Sequence, residues 1–108
     1  MAKYLLVYHG GNGGSAEMSQ EDGAKVMQAW TDWFASLGAA VADAGNPISR
    51  HWTVTSEGTI EGGAADPATG YTVLEAENMD AALVMAKGCP HLASGGSIEL
   101  AETFEIAM

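Results

Sequence analysis

Residues 3–9, Lys3-Tyr4-Leu5-Leu6-Val7-Tyr8-His9, decide how this chain is to be read. The run is short, rich in aromatic and β-branched side chains, and stops at a glycine cluster, which favours a strand over a helix. Its hydrophobicity is nearly continuous instead of alternating. Both faces of such a strand need cover, so it belongs at the centre of a sheet.

Outward from that strand, Gly11-Asn12-Gly13-Gly14-Ser15-Ala16 has the spacing of the dinucleotide pattern G-x-G-x-x-G/A. Ser19 caps the helix after this stretch instead of within it, and a doubly wound nucleotide fold needs more chain, so the segment reads as a flexible connector. Ser19-Gln20-Glu21-Asp22 is a variant of the capping box and opens a helix. Met27, Trp30, Phe34 and Leu37, flanked by Val26 and Trp33, give that helix a broad apolar stripe, and Gly38 supplies its C′ residue. Gly23, inside it, costs about 1 kcal/mol relative to Ala.

Gly45-Asn46-Pro47 separates a short extended piece from a strand at Arg50-His51-Trp52-Thr53-Val54-Thr55. Ser56-Glu57-Gly58-Thr59 is a turn signal that puts Ile60 on the returning arm of a small hairpin. A loop over residues 61–70 leads to a strand at Tyr71-Thr72-Val73-Leu74-Glu75-Ala76. Asn78 caps a second helix with Met79, Ala82, Leu83 and Ala86 on its stripe, ending at Lys87-Gly88 before Pro90. Ile98, Leu100, Phe104 and Ile106 alternate with Glu99, Ala101, Thr103 and Glu105 as a last strand.

The order β-α-β-β-α-β makes this an α+β chain, one domain over residues 1–108, with two helices on the same face of an antiparallel sheet. No third helix remains for the other face, where Leu5, Val7, Trp52, Val54 and Val73 are expected. A homodimer that stacks sheet on sheet about a two-fold axis answers that need; a monomer with a mainly polar second face is the alternative.

With 108 residues the chain fits a single core and buries about 65% of its unfolded surface. Its 47% hydrophobic share is ample for that core. Four Lys+Arg against fourteen Asp+Glu give a net charge of −10, which repels phosphate backbones and anionic membranes. Nucleic acid and membrane are therefore not expected partners. The longest apolar runs, residues 4–8 and 81–86, fall far short of the ~20 residues a span needs, and no signal-like start is present, so a cytoplasmic location is expected. The single Cys89 has no partner for an internal disulfide.

Three segments resemble the YCII-related family: residues 3–8, Gly70-Tyr71-Thr72-Val73-Leu74-Glu75-Ala76, and Gly88-Cys89-Pro90-His91-Leu92 followed by Gly95-Gly96-Ser97-Ile98-Glu99. The resemblance implies a ferredoxin-like domain of the dimeric α/β-barrel superfamily. It also implies a small-molecule pocket in each protomer, with chemistry of lyase, isomerase or oxygenase type as in related barrels. Founding members carry a His on the first helix and an Asp just before the Pro after the second. Here those positions hold Met27 and Cys89, so that dyad is absent. The Asp-Gly-Pro-Phe motif of another branch is also missing from the loop at 61–67.

The residues themselves offer several sites. Cys89 and His91, separated by Pro90, are a thiol and an imidazole that form a nucleophile–base pair if their side chains converge; a buried Cys with a structural His is the plainer reading. The end of a helix raises a thiol's pKa, against a reactive thiolate. His9, His51 and His91 with Asp66 or Glu99 can assemble an acid–base site, and His91 and His9 are the catalytic candidates. No His-x-x-x-His or Cys-x-x-Cys pair appears, so neither a metal nor a cofactor is expected. Trp30, Trp33, Phe34 and Trp52 can line an aromatic pocket, although helical spacing makes Trp30 and Phe34 core residues first. Tyr8, Trp30, Trp52 and Cys89 are the ligand-binding candidates, around a cavity between the end of the first strand, the first helix and the 89–91 loop. The competing reading is a non-catalytic interaction module whose acidic surface meets a basic partner. An enzyme requires a closed pocket with an imidazole near a carboxylate; a module requires a filled interior and an exposed apolar patch.

Overall fold

A computed structural model describes residues 1–11 and 20–106. Ser19 and most of the glycine-rich connector lie outside the described residues. The strands are β1 (Ala2–His9), β2 (Val41–Asp43), β3 (Trp52–Thr55), β4 (Gly58–Glu61), β5 (Ala68–Ala76) and β6 (Ser97–Glu102). The helices are α1 (Gln20–Leu37), α2 (Met79–Lys87) and α3 (Pro90–Ala93). The main sheet is antiparallel in the order β2-β5-β1-β6, an α+β arrangement compatible with a ferredoxin-like fold. No helix among the described residues is long and apolar enough to cross a membrane.

β1 is central, as its continuous hydrophobicity demands. Tyr4, Leu6 and Tyr8 are buried on one face, joined by Thr72, Leu74 and Ala76 of β5. Trp33 of α1 and Ala82 and Ala86 of α2 pack over them, with Trp30, Phe34, Leu37, Met79 and Met85 around the edge. Asn78 caps α2 by accepting the Ala81 N–H at 2.8 Å, and Trp33 Nε1–H donates to the Met85 carbonyl at 3.0 Å, tying the helices together.

Four expectations need correction. The strand beside β5 is the three-residue β2, whereas residues 52–55 pair only with β4 in a separate two-stranded sheet. Trp52 and Val54 therefore lie on that hairpin and not on the main sheet's second face. Met27 is 67% exposed, and the inward stripe of α1 has Trp33 buried, with Val26, Trp30, Phe34 and Leu37 partly buried around it. On α2, Leu83 is likewise turned outward and Met85 takes its place. The last strand ends at Glu102: Thr103 donates its N–H to the Lys3 carbonyl at 2.9 Å, and Phe104 and Ile106 beyond it are exposed.

The second face of the sheet carries Leu5 and Val7 of β1, Tyr71 and Val73 of β5, and Ala101 of β6, all half-buried. None of them belongs to the core cluster. The molecule is 18 Å thick along its short axis and 45 Å along its long one, and its radius of gyration is 15.3 Å. A compact chain of this length has ~13 Å. The excess matches a thin two-layer body with a projecting hairpin.

Candidate functional site

The end of β1 places two histidines by two different routes. Along a strand successive side chains alternate faces, so Tyr8 points under the helices and His9 points to the open face. His91 comes from the other direction: α2 ends at Lys87, Cys89 precedes α3, and Pro90 occupies its first turn, which carries His91 back toward the end of β1.

His91 is 6% exposed and its Nε2 lies 2.9 Å from the main-chain carbonyl of His9. A carbonyl only accepts, so Nε2 carries the proton. The ring is held edge-on by glycines: a Cβ at Gly96 would lie 2.1 Å from Nε2, and one at Gly11 would lie 2.9 Å from Cε1. The sequence signal for this cradle is the Gly95-Gly96 pair just past α3, which composition alone does not single out.

His9 is fixed in the same manner. Its Nδ1 lies 3.0 Å from the Asp66 carbonyl, so Nδ1–H donates and Nε2 is left as the basic nitrogen of the neutral ring. That nitrogen faces Glu99 Oε1 at 3.5 Å, and the Asp66 carboxylate lies 3.6 Å from Nδ1. Both carboxylates are largely exposed, while the imidazole is mostly covered. Taking up a proton at Nε2 would create a cation faced by two acidic groups.

Under the helices the remaining candidates pack on one another. Tyr8 meets Trp30 edge-on at 5.3 Å between ring centroids and His91 at 5.1 Å. Thr72 Oγ1–H donates to the Ala44 carbonyl at 2.9 Å, so in the 2.6 Å contact between Tyr8 and Thr72 the tyrosine hydroxyl is the donor. Burial pushes the Tyr8 hydroxyl well above its ordinary pKa, with the neighbouring Cys89 thiol adding to the effect. Thr72 was not legible as a site residue; its one signal is a hydroxyl at an inward-facing position of an otherwise apolar strand face.

Cys89 is buried beside Tyr8, and burial is the main cause of its raised thiol pKa. The main-chain N–H of His91 pulls it the other way. The thiol thus meets the backbone of His91, while the imidazole is engaged with His9.

Tyr8, His9, Trp30, Cys89 and His91 therefore come together around one sheet end, and Trp52, 54% exposed on the hairpin, stands apart. Where a cavity was expected, between β1, α1 and the 89–91 loop, the described side chains touch one another. Concavities lie elsewhere: about 250 Å³ along the hairpin at Thr53, Thr55 and Ile60, and about 320 Å³ among Met1, Ala39, Ala76 and Met85. His51, at the base of the hairpin, is exposed. No protein-family model and no curated protein matches the chain.

Proposed function

We propose that this chain is a cytoplasmic YCII-like domain that pairs with a second copy through the open face of its sheet, as a dimeric α/β barrel, and handles a small molecule at His9. His9 carries the reading. Its tautomer is set by the Asp66 carbonyl, its basic Nε2 lies toward the open face, and Glu99 stands 3.5 Å away to face the charge of a protonated ring. His91 acts on this centre as a positioning residue, through the main chain of His9. Pairing is supported by Leu5, Val7, Tyr71, Val73 and Ala101, a half-buried apolar band outside the core cluster of the described residues. In such a pair the pocket lies between copies, which accords with the packed interior of each.

A non-catalytic interaction module is the second reading. The filled space around Tyr8, Trp30 and His91, and the apolar hairpin with Trp52, Val54 and Ile60 exposed, favour it. Native mass spectrometry of protein taken gently from cells separates the two. A dimer that retains a small-molecule adduct, lost in His9→Ala, is the expected result. An adduct-free protein, or an adduct indifferent to His9→Ala, contradicts the His9 reading and leaves the module.

A further inference from the structure

We infer that two copies of this chain clasp each other through a reciprocal contact, the β3–β4 hairpin of each lying against the C-terminal segment 103–106 of the other. The inference rests on the pairing proposed above and says which parts meet.

Among the described residues, the polar contacts of the hairpin are made within the arm. Arg50 bonds Glu61 at 2.9 Å, the Gly62 N–H donates to the His51 carbonyl at 2.9 Å, and the Thr53 hydroxyl donates to the Gly62 carbonyl. Its apolar residues sit on both faces: Trp52 and Val54 on one, Ile60 opposite Thr53 on the other, at 54%, 72% and 65% exposure. A lone two-stranded ribbon is marginal in water, so an arm built this way calls for a surface to lie on.

The place where the arm leaves the body decides which surface that is. Residues 41–48 run along β5, with Pro47 bridging Gly70 and the Ile48 N–H donating to the Thr69 carbonyl; the return passes Asp66, which touches His9. The arm thus projects from the His9 end of the sheet. Phe104 and Ile106, 84% and 68% exposed, follow Thr103 at Lys3, the opposite end. The length of β1 puts roughly 25 Å between them, so they are kept from covering each other within one protomer.

A two-fold axis perpendicular to the strands reverses one sheet over the other. It brings the arm end of each copy to the tail end of its partner, and one operation closes both patches. The same operation faces the two Leu5–Val7–Val73 bands. Area agrees. The open band is half-buried already and falls short of the ~800 Å² per partner that a stable dimer needs; Trp52, Val54, Ile60, Phe104 and Ile106 add roughly 600 Å² of side chain. Each copy carries a net charge of −10, so the contact is apolar in origin and tightens as salt screens the repulsion.

The test mixes Trp52→Cys protein with Phe104→Cys protein under mild oxidation. A disulfide-linked heterodimer is expected from the mixture and from neither variant alone. Linkage of Trp52→Cys to itself would mean that the arms meet at one end, and overturns the clasp while leaving the dimer standing; so does a dimer that yields no link. A monomer by sedimentation overturns the pairing itself. A second measurement covers variants that fold poorly: in the unmodified protein, hydrogen exchange of residues 52–61 should slow at least tenfold between dilute and dimeric conditions, and an unchanged rate contradicts the contact.

Discussion

Trp33 and Trp52 are the same side chain in opposite circumstances. Trp33, 6% exposed, donates to the Met85 carbonyl and sits over β1. Trp52, 54% exposed, stands on a hairpin whose two strands pair with each other and, among the described residues, with no other strand. The helix-covered end of the sheet is packed until even a methyl group on Gly96 has no room, and the arm is left with apolar surface on both faces. Aromatic content alone does not say which residues form the core; the element that carries them, and what lies over it, does.

The sharpest way to break that contrast is a pair of truncations. Trp33→Ala is expected to lose about 3–5 kcal/mol of stability, as a large buried aromatic does. Trp52→Ala, in sub-micromolar solution, should lose less than about 0.5 kcal/mol. Urea denaturation followed by circular dichroism reads both; similar losses would mean that the arm is part of the core.

Glycine substitutions repeat the comparison on the backbone. Gly96→Ala places a Cβ 2.1 Å from His91 Nε2, and the displaced ring should destabilise the protein by about 3 kcal/mol. Gly58, in the hairpin turn, has a φ of +146° and open space around it; Ala there meets backbone strain alone, about 1 kcal/mol. Equal losses would show that His91 yields easily and is not held by its cradle.

The smallest effect is a pH dependence. Tyr4 is fully buried and donates to Glu102 Oε1 at 2.6 Å. That bond first, then burial and the Glu102 charge, push its hydroxyl from 10.0 up to about 12. A raised pKa keeps the neutral form favoured in the fold. The contribution is whole below pH 10.0 and is lost as pH climbs through about 12. Tyr4→Phe should therefore flatten the alkaline limb of a stability–pH curve and leave the shape at neutral pH unchanged. An identical alkaline limb in the variant would remove Tyr4 from the account.

Much of the fold is legible from residues 3–9, 71–76 and 78–87, where periodicity, a cap and breakers agree, and the return of Ile60 on a hairpin follows from its turn. What was illegible has physical causes. Val41–Asp43 falls in the short extended piece read before Gly45, but its place beside β5 comes from pairing that spacing does not show, whereas residues 50–55 have the stronger strand composition and yet find no place in the main sheet. Three- and four-residue spacings on α1 admit two phases, one through Met27 and one through Trp33, and docking over β1 selects the second.

The candidate site divides the same way. His9, His91, Asp66 and Glu99 are chosen by residue type, but the alternation that sends Tyr8 and His9 to opposite faces means that His91 reaches His9 only through its carbonyl. Sequence spacing shows nothing of that.

Sedimentation velocity of the unmodified protein across nanomolar to micromolar concentrations tests the central claim most directly, because the proposed pairing assigns both the open band and the arm to a second copy. A reversible shift to twice the protomer mass, abolished by Val7→Glu with helix content retained, is the predicted result. A single protomer mass at every concentration would contradict it.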